Sequence, residues 1–200
     1  MTSLINDIVA ASLETKRRYF EEQSERVEAA AGLISSSFRE GGKLLLFGNG
    51  GSSCDAQHIA GEFVNRFLNG NRRALPALSL STDGGVLTCL ANDTGFENVF
   101  ARQVEAFGSK GDVCLAISTS GNSANVVAAI KQAKSMGLLV IGMLGRDGGK
   151  CAPLCDLALT VQHEDTQRIQ ETHNLIGHIL CELVELDLFA AEEGQKDVDL

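Results

Sequence analysis

Two short loops and two helical faces hold the residues of this 200-residue chain that are equipped to do chemistry. Gly48-Asn49-Gly50-Gly51-Ser52-Ser53 follows the apolar run 44–47, and Ser118-Thr119-Ser120-Gly121-Asn122-Ser123 follows the apolar run 113–117. Small residues let the backbone approach a ligand, hydroxyls donate to its oxygens, and a helix opening at such a loop presents N–H groups that favour anions. Two loops of this kind point to a phosphate on a polyhydroxylated substrate. Asn49, Gly50, Gly51 and Ser52 would line it from one side and Ser118, Thr119, Ser120 and Ser123 from the other. A dinucleotide fingerprint fits poorly. The third glycine is replaced by Ser53, and the next strand ends in Ser79-Leu80-Ser81-Thr82 with no acid in place for a ribose. Ser123 or Asn122 capping the following helix accounts for one polar residue of the second loop. A phosphate pocket accounts for the others.

His58 and Glu62 stand four apart on the helix expected after the first loop, and so share a face. Arg66 continues that face, as a phosphate clamp or a partner for a helix carboxylate. On the last helix a polar line, Gln170, Asn174 and His178, runs through an otherwise apolar segment. Buried polar groups need partners, so this line packs on a polar neighbour or faces a site. His163 and His173 fall off it and read as bystanders. His58, Glu62, Gln170 and His178 form a nitrogen and oxygen set suited to zinc. About 12 Å of helix rise separates Gln170 from His178, so a shared site requires inward-leaning side chains or ligands from more than one chain. Cys151 and Cys155 offer half a metal site with no second half in the sequence.

The elements that must position these residues alternate. Strand-like runs at 43–48, 75–81, 112–118, 138–144 and 156–161 are separated mostly by helical segments near 52–68, 97–107, 122–136 and 165–189. That order predicts an α/β fold: a five-stranded parallel sheet in a three-layer α/β/α sandwich, with its ligand at the carboxyl ends of the strands. Two helices are expected over residues 3–39, with apolar stripes Ile5, Ile8, Val9, Leu13 and Val27, Ala30, Leu33, Ile34, Phe38. The predicted organisation is a single domain over 1–200. Residues 1–40 supply oligomerisation helices, 41–190 the α/β core, and 191–200 a frayed acidic tail.

Composition removes several classes. A net charge of −9 argues against nucleic-acid binding, which needs a basic face. The longest apolar runs fall short of the ~20 residues of a membrane span, and the first twenty residues lack a signal-peptide pattern. Six scattered cysteines suggest reduced thiols and a cytoplasmic protein.

Six segments together carry a family resemblance: G-N-G-G-S at 48–52, D-A-Q-H-I-A-G-E at 55–62, A-N-D at 91–93, S-T-S-G-N-S at 118–123, G-R-D-G-G at 145–149 and R-I-Q-E-T-H-N-L-I-G-H at 168–178. In order and over nearly the whole chain, they resemble the phosphoheptose isomerases of the sugar isomerase (SIS) domain superfamily, a flavodoxin-like fold. The resemblance implies conversion of sedoheptulose 7-phosphate to D-glycero-D-manno-heptose 7-phosphate, toward ADP- or GDP-heptose for lipopolysaccharide or another bacterial surface polysaccharide. It implies a homotetramer with sites at subunit interfaces and one Zn2+ per subunit held by His58, Glu62, Gln170 and His178. It assigns Glu62 and His178 as the acid/base pair. Asn49, Gly50, Gly51, Asn92, Asp93 and the serine loop are matched to the sugar phosphate. Gln167 departs from the pattern, since some members carry Asp there. A related non-catalytic SIS branch binds the replication initiator protein and is altered at the positions of Glu62 and His178. This chain keeps both, which favours an enzyme over an adaptor.

Overall fold

The computed structural model of the chain describes residues 1–193. One long helix, α1 (Thr2–Arg39), precedes the alternation β1 (Leu44–Gly48), α2 (Gly51–Val64), β2 (Ala77–Ser79), α3 (Gly84–Thr94), α4 (Ala101–Phe107), β3 (Val113–Ser118), α5 (Ala124–Ser135), β4 (Leu139–Gly145), β5 (Leu157–Val161) and α6 (Thr166–Glu193). Short 3-10 turns sit at Phe96–Asn98 and Ala152–Leu154. The strands form one all-parallel sheet in the order β2-β1-β3-β4-β5. The α/β expectation holds, with all five strands in place.

Strand alternation divides the core in two. Leu44 and Leu46 of β1 point toward α1, α2 and α6, while Leu45 and Phe47 point toward α4 and α5. Both faces are covered, which is why these strands are apolar throughout. A fully buried Leu or Phe contributes about 1.5–3 kcal/mol. The chain leaves the carboxyl end of β1 toward β2 and that of its neighbour β3 toward β4, on opposite sides. That divergence opens a crevice, and the paired ends Gly48 and Ile117 feed both loops into it.

Three sequence expectations need correction. The N-terminal region is one continuous helix, not two. The polar stretch between its apolar stripes contains no Gly or Pro, and Arg17 pairs with both Glu14 and Glu21 on the solvent face. Helix α3 was missed because Gly84-Gly85 reads as a loop. Asp83 starts the helix by accepting a hydrogen bond from the Val86 N–H at 2.9 Å. The expected helix 97–107 is a 3-10 turn followed by the shorter α4. Of the predicted frayed tail, residues 191–193 belong to α6, and the rest lies outside the described residues. No helix among the described residues is long and apolar enough to cross a membrane.

Candidate active site

Both loops open onto helices, and in α5 the Val126 N–H is taken by Asn125 Oδ1 at 2.9 Å. Gly50 precedes α2 and Ser123 precedes α5, and neither makes a capping bond. The capping role expected for Ser123 or Asn122 is therefore not realised. Ser123 Oγ stands 3.3 Å from Ser118 Oγ, and Asn122 turns away to its own loop and to the Lys150 N–H. The Ser52 and Ser53 N–H groups donate to the Asn49 and Gly50 carbonyls at 3.0 Å, which leaves the Gly51 N–H of α2 and the Ala124 and Asn125 N–H groups of α5 for a ligand.

The second loop is braced from behind by the turn 145–151. Gly121, at φ +62°, backs onto the Gly148 carbonyl so closely that a Cβ would collide with it, and its own carbonyl accepts from the Cys151 N–H at 2.9 Å. The first loop is tied across the crevice by reciprocal amide bonds. Asn49 Nδ2 donates to Asn125 Oδ1 at 2.8 Å, and Asn125 Nδ2 returns to Asn49 Oδ1 at 2.9 Å. Asn49 thus spends its side chain inside the protein.

The polar line of α6 finds its partner in α2. Gln170 packs its amide against Gly51, Asn174 lies beside Asp55, and His178 meets His58. The helices close tightly at this end because position 177 is glycine. A Cβ there would lie 2.6 Å from Ile59 Cδ1. His58 Nε2 stands 2.7 Å from His178 Nε2 and 3.7 Å from Glu62 Oε1, and the three ligand atoms all lie within 4.8 Å of one another. The Phe67 ring covers His178 at a centroid distance of 5.6 Å. Two imidazole nitrogens and a carboxylate converging from two helices fit a divalent cation. His58 is 43% and Glu62 27% exposed in their side chains, so the group opens to a ligand. Gln170, with its amide against Gly51, stands eight residues before His178 on α6.

Other predicted residues sit apart. Asn92 and Asp93 lie exposed on α3, where Asn92 Nδ2 donates to Asp93 Oδ1 at 2.8 Å. Arg66 falls beyond the end of α2 and makes no ion pair among the described residues. Cys151 and Cys155 remain thiols, pushed up by burial to about 11 and about 12, and the Cys155 thiol donates to the Cys151 carbonyl. His173 is fully buried against the Leu144 carbonyl, and burial drives its pKa down to about 4. It is a neutral core group, as its place off the polar line suggested. Asp55 was not singled out in the sequence. Its half-buried carboxyl is raised by burial, against the pull of His58 and Asn174. Arg72 and Glu185 were also missed, for they are 113 residues apart and meet only in the fold.

Comparison with known proteins gives one consistent answer. Residues 9–145 match the SIS domain family. The phosphoheptose isomerase of Pelobacter propionicus is 52% identical over 188 residues, covering 92% of this chain and 99% of that one. Among solved structures, a phosphoheptose isomerase from Neisseria gonorrhoeae superposes with a TM-score of 0.87 at 41% identity, covering 92% of this chain and 98% of that one. Another from Francisella tularensis gives 0.88 at 35% identity, with the same coverage of both chains.

Proposed function

The chain belongs to the phosphoheptose isomerases of the SIS domain family, and from that premise we propose how it interconverts sedoheptulose 7-phosphate and D-glycero-D-manno-heptose 7-phosphate. The observation that carries the reading is the meeting of Glu62 and His178 with His58, on the same seam as an uncapped phosphate loop. The adaptor alternative finds no support among these relatives, all named as isomerases.

Aldose–ketose isomerisation moves one proton between C1 and C2 through an enediol. The phosphate binds the N–H groups of α2 and α5 with Ser52, Ser118, Thr119, Ser120 and Ser123, because the acidic chain offers few cations for the task. Glu62 takes the proton from C1 of the ketose and returns it to C2. His178 donates to the carbonyl oxygen and then recovers the hydroxyl proton from the other oxygen, after first assisting ring opening. His58, Glu62 and His178 would hold zinc, which when bound supplies a Lewis acid beside the carbonyl oxygen. Phe67 keeps water from the His178 side of the group.

Gln170, Asn92 and Asp93 complete the substrate site in this reading, reaching the reacting end from a neighbouring copy. The exposed stripe Leu4, Ile5, Ile8, Val9 and Leu13 on α1 supports such assembly, since a lone chain would leave it in water. We assign a closed homotetramer. A cytoplasmic site of action, supplying a heptose phosphate for surface polysaccharide, agrees with six unpaired thiols. The test is a coupled assay of sedoheptulose 7-phosphate turnover by metal-stripped and zinc-restored protein. Turnover restored by zinc supports the assignment. Absence of turnover in both forms overturns it.

A further inference from the structure

We propose that the buried Arg72–Glu185 ion pair is a positioning device for catalysis, fixing the spacing of Glu62 on α2 from His178 on α6; the inference rests on the isomerase reading above. Arg72 is wholly withdrawn from solvent and Glu185 is 5% exposed. Arg72 Nε donates to Glu185 Oε1. The rest of its planar fork grips the end of α2: Nη2 donates to the Glu62 carbonyl at 2.6 Å, and Nη1 to the Phe63 carbonyl at 2.9 Å. Carbonyls in the last turn of a helix have no partner within it, so this guanidinium supplies what the helix lacks. One of the two belongs to the residue whose carboxylate is assigned the proton transfer.

Glu185 anchors the other side. It accepts from three successive N–H groups, those of Phe67, Leu68 and Asn69, at 2.8–2.9 Å. It stands seven residues beyond His178 on α6, two turns along and on the same face. The contacts therefore close a circuit. Glu62 connects through its carbonyl to Arg72, Arg72 to Glu185, Glu185 along α6 to His178, and His178 to His58 one turn before Glu62 on α2. The same three N–H bonds hold Phe67 against His178. Apolar packing by Ile59 and Phe63 already joins the two helices, but such contacts permit sliding, whereas a guanidinium fixed at once to two α2 carbonyls and to the Glu185 carboxylate does not. A displacement of about 1 Å in a reacting group costs on the order of a hundredfold in rate.

A second, partly buried ion pair provides the control. Lys43 and Asp112 join the starts of β1 and β3 at the end of the sheet away from the loops, with Asp112 3% exposed. The experiment compares Arg72→Lys and Glu185→Gln with Lys43→Met, measuring kcat, KM for sedoheptulose 7-phosphate and the melting midpoint, with assays well below each midpoint. All three should melt lower. The first two should lose roughly ten- to a hundredfold in kcat with KM held within about twofold, while Lys43→Met keeps wild-type kcat. Should Arg72→Lys fail to fold, Glu185→Gln carries the same reading, since its amide oxygen still accepts from the loop. Wild-type kcat in a folded Arg72→Lys or Glu185→Gln, or a kcat loss matched by Lys43→Met, overturns the proposal. An inactive wild type would instead overturn the isomerase assignment.

Discussion

The serine loop and the His58–Glu62–His178 group are built on opposite plans. The loop is six consecutive residues whose polar groups are mostly backbone N–H and small hydroxyls, stiffened from behind by the turn 145–151. The His–Glu–His group is three long side chains from two helices, with 120 residues between His58 and His178. A backbone cradle shares its work among many donors. A side-chain group concentrates it in a few atoms that have no substitutes. Binding at the loop should therefore erode in small steps, and chemistry at the helix seam should fail at once.

The sharpest test of that contrast is Glu62→Gln. It should leave the fold and KM nearly unchanged and lower kcat ~10²–10⁴-fold, as expected for a general acid/base group. His178→Ala should fall as far. Near-normal kcat in Glu62→Gln would remove that carboxylate from the reaction. Next comes metal removal: chelator should abolish most turnover and lower the melting midpoint, because a ligand bound only by the native state stabilises it. Turnover and midpoint both unchanged in protein shown metal-free by elemental analysis would leave a metal-free acid/base site.

A smaller effect is expected at the loop. Ser118→Ala, Ser120→Ala and Ser123→Ala, one at a time, should each raise KM about fivefold, the worth of one hydrogen bond of ~1 kcal/mol, with kcat preserved. A single serine whose loss costs a hundredfold would break the comparison. The smallest effect on activity is at His173, which lies outside both regions. Its folded pKa of about 4 is below the unfolded value of 6.5, so the native state resists protonation. Stability from this group is complete above pH 6.5 and declines by about 1.4 kcal/mol per pH unit as pH falls toward 4, because the unfolded chain binds the proton first. Equilibrium unfolding of His173→Gln should show a flatter slope over that window, with activity at neutral pH little changed. An equal slope would show that His173 does not set it.

The same contrast explains what could be read from the sequence. The loops were legible because their residues are neighbours in the chain, and strands before and helices after them fix where they lie. The line Gln170, Asn174, His178 was legible as an anomaly, a polar row in an apolar helix. Its complement, Gly51, Asp55 and His58, became visible only when α2 and α6 were docked. The rise of about 12 Å between Gln170 and His178 was legible in the sequence, whereas the contact of Gln170 with Gly51 and the amide pairing of Asn49 with Asn125 appear only in the fold. Arg72 and Glu185 carry no signal in the sequence, because only the fold brings them together. Helix α3 was hidden because a glycine pair resembles a turn unless the Asp83 cap is noticed.

Helix α6 has a consequence for synthesis. The proposed acid/base pair draws one member from α2 and the other from the final helix, which packs on both α1 and α2. On a ribosome adding roughly 5–20 residues per second, the 116 residues from Glu62 to His178 take about 6–23 s to make. Throughout that interval α1 lacks the α6 face of its packing. The last helix then brings the two ends of the chain together, so a chain cut short before α6 would lack both that cover and the proposed acid.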